Sequence, residues 1–284
     1  MNYLITGSSG FIGTHLIQTL LKQDHTVTLV PRAMLYDPTQ LTTFAKNARP
    51  DYIINLASYG NMSHQKDIHK IFRANLEATF NILSTTLDIP YKGFIQVGSS
   101  SEYGDRLTEM VETDLPRGTS MYAATKVGAT YLAQSFARTF DKPIAIIRPF
   151  SVYGPGEASF RFIPSIMRHL SNGTQMPVVS HPQHDWIYID DFIDGLLTVA
   201  DNMTKLTGYV VNIGTGRAYR NYEIIQKLED ISGRKLSQQE VYEDTNASTR
   251  WIADNTLLRS FGWNPVISLE DGLQRCWHHY ETTQ

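Results

Sequence analysis

The sequence predicts an α/β fold: a doubly wound parallel sheet with a smaller C-terminal lobe set against it. Three observations predict it. A short apolar run at the N-terminus breaks at Gly7 and leads through Gly10 and Gly13 into a segment with helical apolar spacing. Apolar strands and helical segments then alternate through the first half of the chain, the pattern of a parallel sheet covered on both faces. Around residues 148–157, "RPFSVYGPGE", Gly and Pro cluster and the alternation gives way to less regular chain.

Taken in order, strands are predicted at 2–6, 26–30, 52–56, 93–97 and 144–148. They read as nearly continuous apolar runs, as strands buried on both faces should. Helices are predicted near 11–22, 67–88 and 120–139. The stretch 31–50 is short and polar and leaves room only for a turn or a small helix. Further on, "FRFIPSIMRHL" predicts a helix. "WIYIDDFIDGLLTVAD" predicts a short strand and then a helix capped by Asp190 or Asp191, and "YVVNIGT" another strand. There is no clear linker, repeat or low-complexity segment. The expected division is a first domain over 1–153, joined by elements from about 185–215, and a lobe formed mainly by 154–284. A cleft between them would lie at the C-terminal ends of the strands.

The totals narrow the class. The 284 residues are 42% hydrophobic, enough to bury a core, and the net charge of -3 gives no sign of a nucleic-acid surface. The one cysteine, Cys276, cannot form an internal disulfide, which fits a reducing compartment. "MNYLITGSSGF" has no basic start and no long apolar stretch, and no window reaches the length of a membrane span. A cytoplasmic protein with no nucleic-acid, membrane or metal partner is expected.

The three glycines are spaced G-x-x-G-x-x-G. Gly7 permits a tight turn, Gly10 lets backbone approach a phosphate, and Gly13 lets the helix pack close to the strand. The helix start, with unpaired N–H groups and a partial positive charge, suits a diphosphate. A dinucleotide is the ligand this context favours. Tyr122 and Lys126 lie four apart in "SMYAATK" and share a helix face. An ammonium there would lower the phenol's pKa and fit it for proton transfer. Y-x-x-x-K is common by chance and carries nothing alone. In "IQVGSSSEYGD", three serines follow a strand end, where a hydroxyl could hold a substrate oxygen.

With these residues the chain resembles the extended short-chain dehydrogenase/reductases, in particular the nucleotide-sugar epimerase/dehydratase group. The resemblance rests on "TGSSGFIG" (6–13), "PDYIINLAS" (50–58), "SSSEYGD" (99–105), "YAATK" (122–126), "RPFSVYGPGE" (148–157), "DWIYIDDF" (185–192), "NIGTGRAYRNYEI" (212–224) and "FGWNPVISLEDGL" (261–273). It implies a Rossmann-type sheet and a catalytic set of Ser99, Tyr122 and Lys126, with Ser100 as the alternative serine. It implies cofactor contacts from Gly7, Gly10, Phe11, Ile12, Gly13, Leu56, Ala57, Ser58, Tyr122, Lys126 and Pro149. It implies a second lobe that binds the substrate's nucleotide diphosphate, with Ser100, Ser151, His184 and Arg250 as candidate contacts, and a homodimer. The dimer would form through helices 67–88 and 120–139, where Ile71, Phe72, Leu76, Phe80 and Leu83 make an apolar face.

The chain departs from the family pattern in places. His184 and Ser151 stand where members often have arginine and asparagine. Members that dehydrate carry carboxylates after the catalytic serine or threonine; here Ser100 and Ser101 fill those positions. Glu102 comes one residue late and is expected to be an exposed loop carboxylate, which argues against dehydration.

Cofactor choice turns on "TLVPRA" (28–33). NAD-selective members commonly end the second strand with an acid, whereas an arginine accommodates a 2′-phosphate. Pro31 and Arg32 follow the strand here, and Asp37 lies several residues further on. Arg32 can bind phosphate through charge-assisted hydrogen bonds. The expectation is therefore NADP(H), with NAD(H) as the alternative, and NADPH-dependent reduction of a nucleotide-linked 4-keto-6-deoxyhexose. The alternatives are an NAD-dependent nucleotide-sugar 4-epimerase, a reductase for a non-nucleotide carbonyl compound and a catalytically silent dinucleotide sensor.

Overall fold

A computed structural model describes residues 1–62, 64–179, 182–240 and 250–283. In chain order the first half runs β1 (Asn2–Thr6), α1 (Phe11–Lys22), β2 (Thr26–Leu29), α2 (Pro38–Ala48), β3 (Tyr52–Asn55), α3 (Ile68–Phe72), α4 (Ala78–Thr85), β4 (Gly93–Val97), α5 (Met121–Thr139) and β5 (Ile144–Pro149). The second half runs β6 (Ser151–Tyr153), α6 (Phe162–Asn172), β7 (Met176–Val178), β8 (Gln183–His184), β9 (Trp186–Tyr188), α7 (Ile189–Asp201), α8 (Met203–Leu206), β10 (Val210–Ile213), β11 (Tyr219–Arg220), α9 (Asn221–Ser232), β12 (Gln238–Glu240), β13 (Arg250–Trp251), α10 (Thr256–Arg259) and α11 (Leu269–Thr282).

Six parallel strands form the main sheet in the order β10-β5-β4-β3-β1-β2. The alternation of side chains along each strand explains the two covered faces. Tyr3, Ile5, Ile54, Ile95, Ala145 and Ile147 point to one side, into a core with α1 and α7. Leu4, Ile53, Phe94, Ile144 and Ile146 point to the other, into a core with α2, α4 and α5. The first core continues without a break through α6, α9 and α11. Smaller sheets, β11-β8-β13, β12-β7 and β6-β9, carry the second half. No helix among the described residues is long and apolar enough to cross a membrane.

Four local readings are corrected. The 31–50 stretch holds a full eleven-residue helix, α2, after a short 3₁₀ turn at Arg32–Tyr36. Asp37 caps it by accepting from Gln40 N, Pro38 opens it, and Leu41 and Ala45 bury its inner face. The predicted helix 67–88 is interrupted by a π turn at Arg73–Glu77. Helix α7 takes its N-cap at Tyr188 rather than Asp190 or Asp191. Asp191 instead reaches across to accept from Val266 N at 3.1 Å and Ile267 N at 2.9 Å, fixing the segment before α11. Glu102 is the fourth correction and belongs to the site.

Candidate active site

The site assembles where β1, β3 and β4 end. A buried chain of amides and hydroxyls ties those ends together: Thr6 donates to Asn55, and Asn55 donates to Gln96 at 2.8 Å. The Thr6 hydroxyl also accepts from Ala57 N at 3.1 Å. This fixes the Leu56–Ala57–Ser58 segment beside the glycine turn.

The turn needs its glycines for different reasons. Gly7 is left-handed, at φ +68°, and a Cβ there would lie 2.7 Å from the carbonyl carbon of Leu56. A Cβ on Gly13 would lie 2.5 Å from the Gly7 carbonyl oxygen. Gly10 is the N-cap of α1 and offers no side chain to it, and the first turn, Phe11–Ile12–Gly13, holds no acid. Its first amides thus have no side-chain cap. Backbone this closely drawn, with an uncapped helix start, fits the diphosphate of a dinucleotide.

Helix α5 starts at a Ser120 cap, which accepts from Ala123 N. That fixes Tyr122 and Lys126, both buried, on the turns facing the end of β4. The Lys126 ammonium donates to the Val97 carbonyl at 2.6 Å, and burial pulls its pKa down to about 8 against the attraction of Glu102. Burial pushes the Tyr122 phenol up; the hydroxyls of Ser99 and Ser58 and the charge of Arg161 pull the other way. Burial outweighs the groups that favour the phenolate, and the Lys126 ammonium is held on the Val97 carbonyl. Ser99 is brought to Tyr122, whereas the Ser100 hydroxyl accepts from the Trp251 indole at 2.8 Å.

Glu102 is not an exposed loop carboxylate. It is fully buried and ion-paired with Arg148 at 2.8 Å. The same oxygen accepts from Thr130 at 2.8 Å, and the other accepts from Ser99 N at 2.8 Å. The segment after β4 winds into a 3₁₀ turn, Ser100–Tyr103, with Ser99 as its cap, and this rotates Glu102 inward beneath the serine. Gly98 leaves room for it, since a Cβ there would lie close against a Glu102 oxygen.

Three contributors had not been read from sequence. Glu102 is one. Asn75, in the π turn, is buried and donates to Tyr59 O at 2.8 Å and Thr125 at 2.9 Å, tying the loop after β3 to α5. A polar residue inside an apolar helical pattern was its only signal. Arg161 is the third. It pairs with Glu157 at 3.0 Å and lies near enough to Tyr122 and His184 for its charge to act on both.

The other predicted contacts scatter. His184 lies edge-on to Trp186, and burial and Arg161 push its pKa down to about 4. It is neutral near pH 7 and carries no charge for an anion there. Ser151 opens β6, its N–H bonded to Asp185 O at 3.0 Å, and Pro149 ends β5. Arg250 is exposed on β13, beside β8. Arg32 is exposed three residues beyond β2, and the carboxylate of Asp37 is engaged by Gln40.

Known proteins resemble this chain over its full length. The low-salt glycan biosynthesis protein Agl12 of Haloferax volcanii is 28% identical, covering 99% of this chain and 98% of its own. A probable UDP-glucuronate 4-epimerase of Rhizobium meliloti is 27% identical, covering 99% and 97%. The structure of UDP-glucuronic acid 4-epimerase from Bacillus cereus, in complex with UDP-glucuronic acid and NAD, superposes with a TM-score of 0.91 at 26% identity, covering 100% of both chains. The profile of the NAD dependent epimerase/dehydratase family matches residues 3–214, three quarters of the sequence, and the chain belongs to that family of enzymes, within the extended short-chain dehydrogenase/reductases.

Proposed function

We propose that the protein is an NAD-dependent nucleotide-sugar 4-epimerase acting on a UDP-linked hexose or hexuronate. One observation carries the choice of chemistry. The carboxylate nearest the serine, Glu102, is locked onto Arg148, Thr130 and Ser99 N, and Ser100 and Ser101 occupy the neighbouring positions. That leaves a serine, a tyrosine and a lysine, a set suited to moving one proton and one hydride and not to expelling water. Likeness to 4-epimerases over the whole length supports epimerisation over net reduction.

Bound at the glycine turn, the dinucleotide would supply a hydride acceptor that returns the hydride. Tyr122 would take the proton from the sugar's 4-hydroxyl and later give it back. Ser99 would hydrogen-bond the same oxygen and hold it in line with the phenol. Lys126 would hold the nicotinamide ribose and add positive charge beneath the tyrosine. Arg161 would contact the substrate diphosphate by charge-assisted hydrogen bonds. The exposed faces of α3–α4 and α5 would pair two subunits.

A second reading, an NADPH-dependent 4-ketoreductase, is favoured by Arg32, the first charged side chain after β2; the next carboxylate, Asp37, stands five residues further on as the cap of α2. The test separates the two. The purified protein is denatured and any released dinucleotide identified, then fresh protein is incubated with UDP-glucose or UDP-glucuronate and the 4-epimers are resolved. Epimer formed without net cofactor consumption, on retained NAD, supports the epimerase. Stoichiometric oxidation of NADPH by a 4-keto sugar, weakened by Arg32→Ala, moves the reductase to the front. Tyr122→Phe should cut turnover at least about 100-fold while dinucleotide binding persists. A near-normal rate in that variant defeats both readings.

A further inference from the structure

The turn that carries Ser99 is held from two sides. Beneath it, Glu102 accepts from Ser99 N at 2.8 Å. From the other side, the Trp251 indole N–H donates to the Ser100 hydroxyl at 2.8 Å, across 151 residues of sequence. Ser99 caps the 3₁₀ turn, its hydroxyl accepting from Ser101 N at 3.1 Å, so a shift of Ser100 moves the cap with it. A single 3₁₀ turn makes few hydrogen bonds of its own, and its place depends on such outside partners.

Trp251 is suited to this work because it is itself fixed. It lies on β13 beside His184 of β8. Its carbonyl accepts from Asp185 N at 2.8 Å, Arg250 N before it donates to Arg106 O at 2.9 Å, and the Ile252 carbonyl after it accepts from Met110 N at 2.8 Å. The buried Asp185 carboxylate accepts from Ala253 N at 3.2 Å and from Thr215 N at 2.7 Å. The ring packs on a small cluster of Tyr103, Met110, Phe150 and Ala253. A phenyl ring would serve that packing; the indole adds one donor, and Ser100 receives it.

We infer that Trp251 is a positioning residue for the reaction: its indole N–H holds Ser100, and through it Ser99, in register with β13 and β8. Misplacing a reacting group by about 1 Å costs up to about 100-fold in rate. The effect on rate rests on the proposed reading of Ser99 as the group that holds the reacting oxygen; the hydrogen bond does not.

Trp251→Phe keeps an aromatic ring and removes the N–H, and Ser100→Ala removes the acceptor. Steady-state rates are measured for both variants and the double variant with UDP-glucose or UDP-glucuronate, whichever the wild type turns over. Each single change should lower kcat about tenfold with KM within about twofold, and the double variant should be no slower than the slower single one. A packing role alone predicts that Trp251→Phe costs the same factor with or without the Ser100 hydroxyl. That result, or an unchanged kcat in Trp251→Phe, overturns the inference. Should the phenylalanine variant not fold, Ser100→Ala decides with the NMR signals of the four tryptophan indole N–H groups. One signal should move upfield as it loses its acceptor, and kcat should fall; four unmoved signals, or an unchanged kcat, overturn the inference. A wild type that turns over no nucleotide sugar removes the proposed function and the effect on rate with it, while the indole signals still decide the hydrogen bond.

Discussion

The arrangement around Glu102 shows how one residue sets the geometry of the site. Its carboxylate meets Arg148, Thr130 and Ser99 N inside the fold, and the Arg148 guanidinium also stacks over the Tyr103 ring at 4.4 Å. Removing one partner of a buried ion pair leaves the other charge without compensation, at about 3–5 kcal/mol. Glu102→Gln should therefore cost about that much in urea unfolding and also lower kcat, because the backbone N–H of Ser99 loses its charged acceptor. Replacing both partners together, Glu102→Leu with Arg148→Met, should recover much of the stability but not the rate. Equal losses in stability for the single and double variants would show that the pair is not the unit. Sequence made Ser99, Tyr122 and Lys126 legible because strand end and helix spacing fix where such side chains point. It hid Glu102 because the direction of a residue in a one-turn 3₁₀ segment depends on the next element, here α5, and not on its own neighbours. Arg161 was hidden for a similar reason: its relevance comes from a loop folding back towards α5, across distant sequence.

At the scale of elements, the strand–turn–helix unit at the N-terminus carries the sharpest expectation. Gly13→Ala would drive a Cβ against the Gly7 carbonyl, a backbone atom that can yield only if α1 shifts on β1. The helix start would then lose its aim at a diphosphate, and dinucleotide affinity should fall at least about tenfold, a loss of about 1.4 kcal/mol. Gly233→Ala serves as the control, since nothing lies within 4 Å of a Cβ there. Its φ of +67° will cost some stability yet should leave affinity unchanged, and equal losses in both variants would sink the argument. The apolar face of α3–α4 divides in two. Ile71 and Leu83 are buried within the subunit, whereas Phe72 and Phe80 are each 48% exposed and, with Leu76 and Leu132, line a surface groove. If two subunits pair through that groove, Phe80→Glu should halve the mass seen by light scattering, and a wild-type monomer at micromolar concentration would end the idea. Elements with long, regular patterns were legible. Helix α2 was not, although Asp37–Pro38 is a cap-and-opening signal, because its outer face is polar enough to read as loop. The π turn was not, because one extra residue in a helix leaves the apolar spacing almost unchanged.

For the molecule as a whole, the unbroken core beneath both halves means that a cost placed in the 154–159 loop is felt in global stability. The order of elements made the sheet legible; the continuity of the core was not, since it depends on how α6, α9 and α11 close on the sheet. Glu157 tests it. Burial pushes its carboxyl up to about 7 from the ordinary 4.5, against the pull of Arg161. The folded protein therefore holds this proton more tightly than the unfolded chain does. Its stabilising contribution is fully present below pH 4.5 and is lost as pH rises through about 7. Across that window the loss is roughly 3 kcal/mol, because each pH unit in which the folded chain keeps a proton that the unfolded chain has released is worth about 1.36 kcal/mol. Asp185, pushed up to about 6 by burial, has the same sign and is present in wild type and variant alike. Urea unfolding of wild type and Glu157→Gln at several values between about pH 4.5 and 8 isolates the Glu157 part. The wild type should lose more stability with rising pH than the variant, the two curves separating most steeply between about pH 5 and 7. Parallel curves would mean that solvent reaches the carboxyl, and that the 154–159 loop does not bury it.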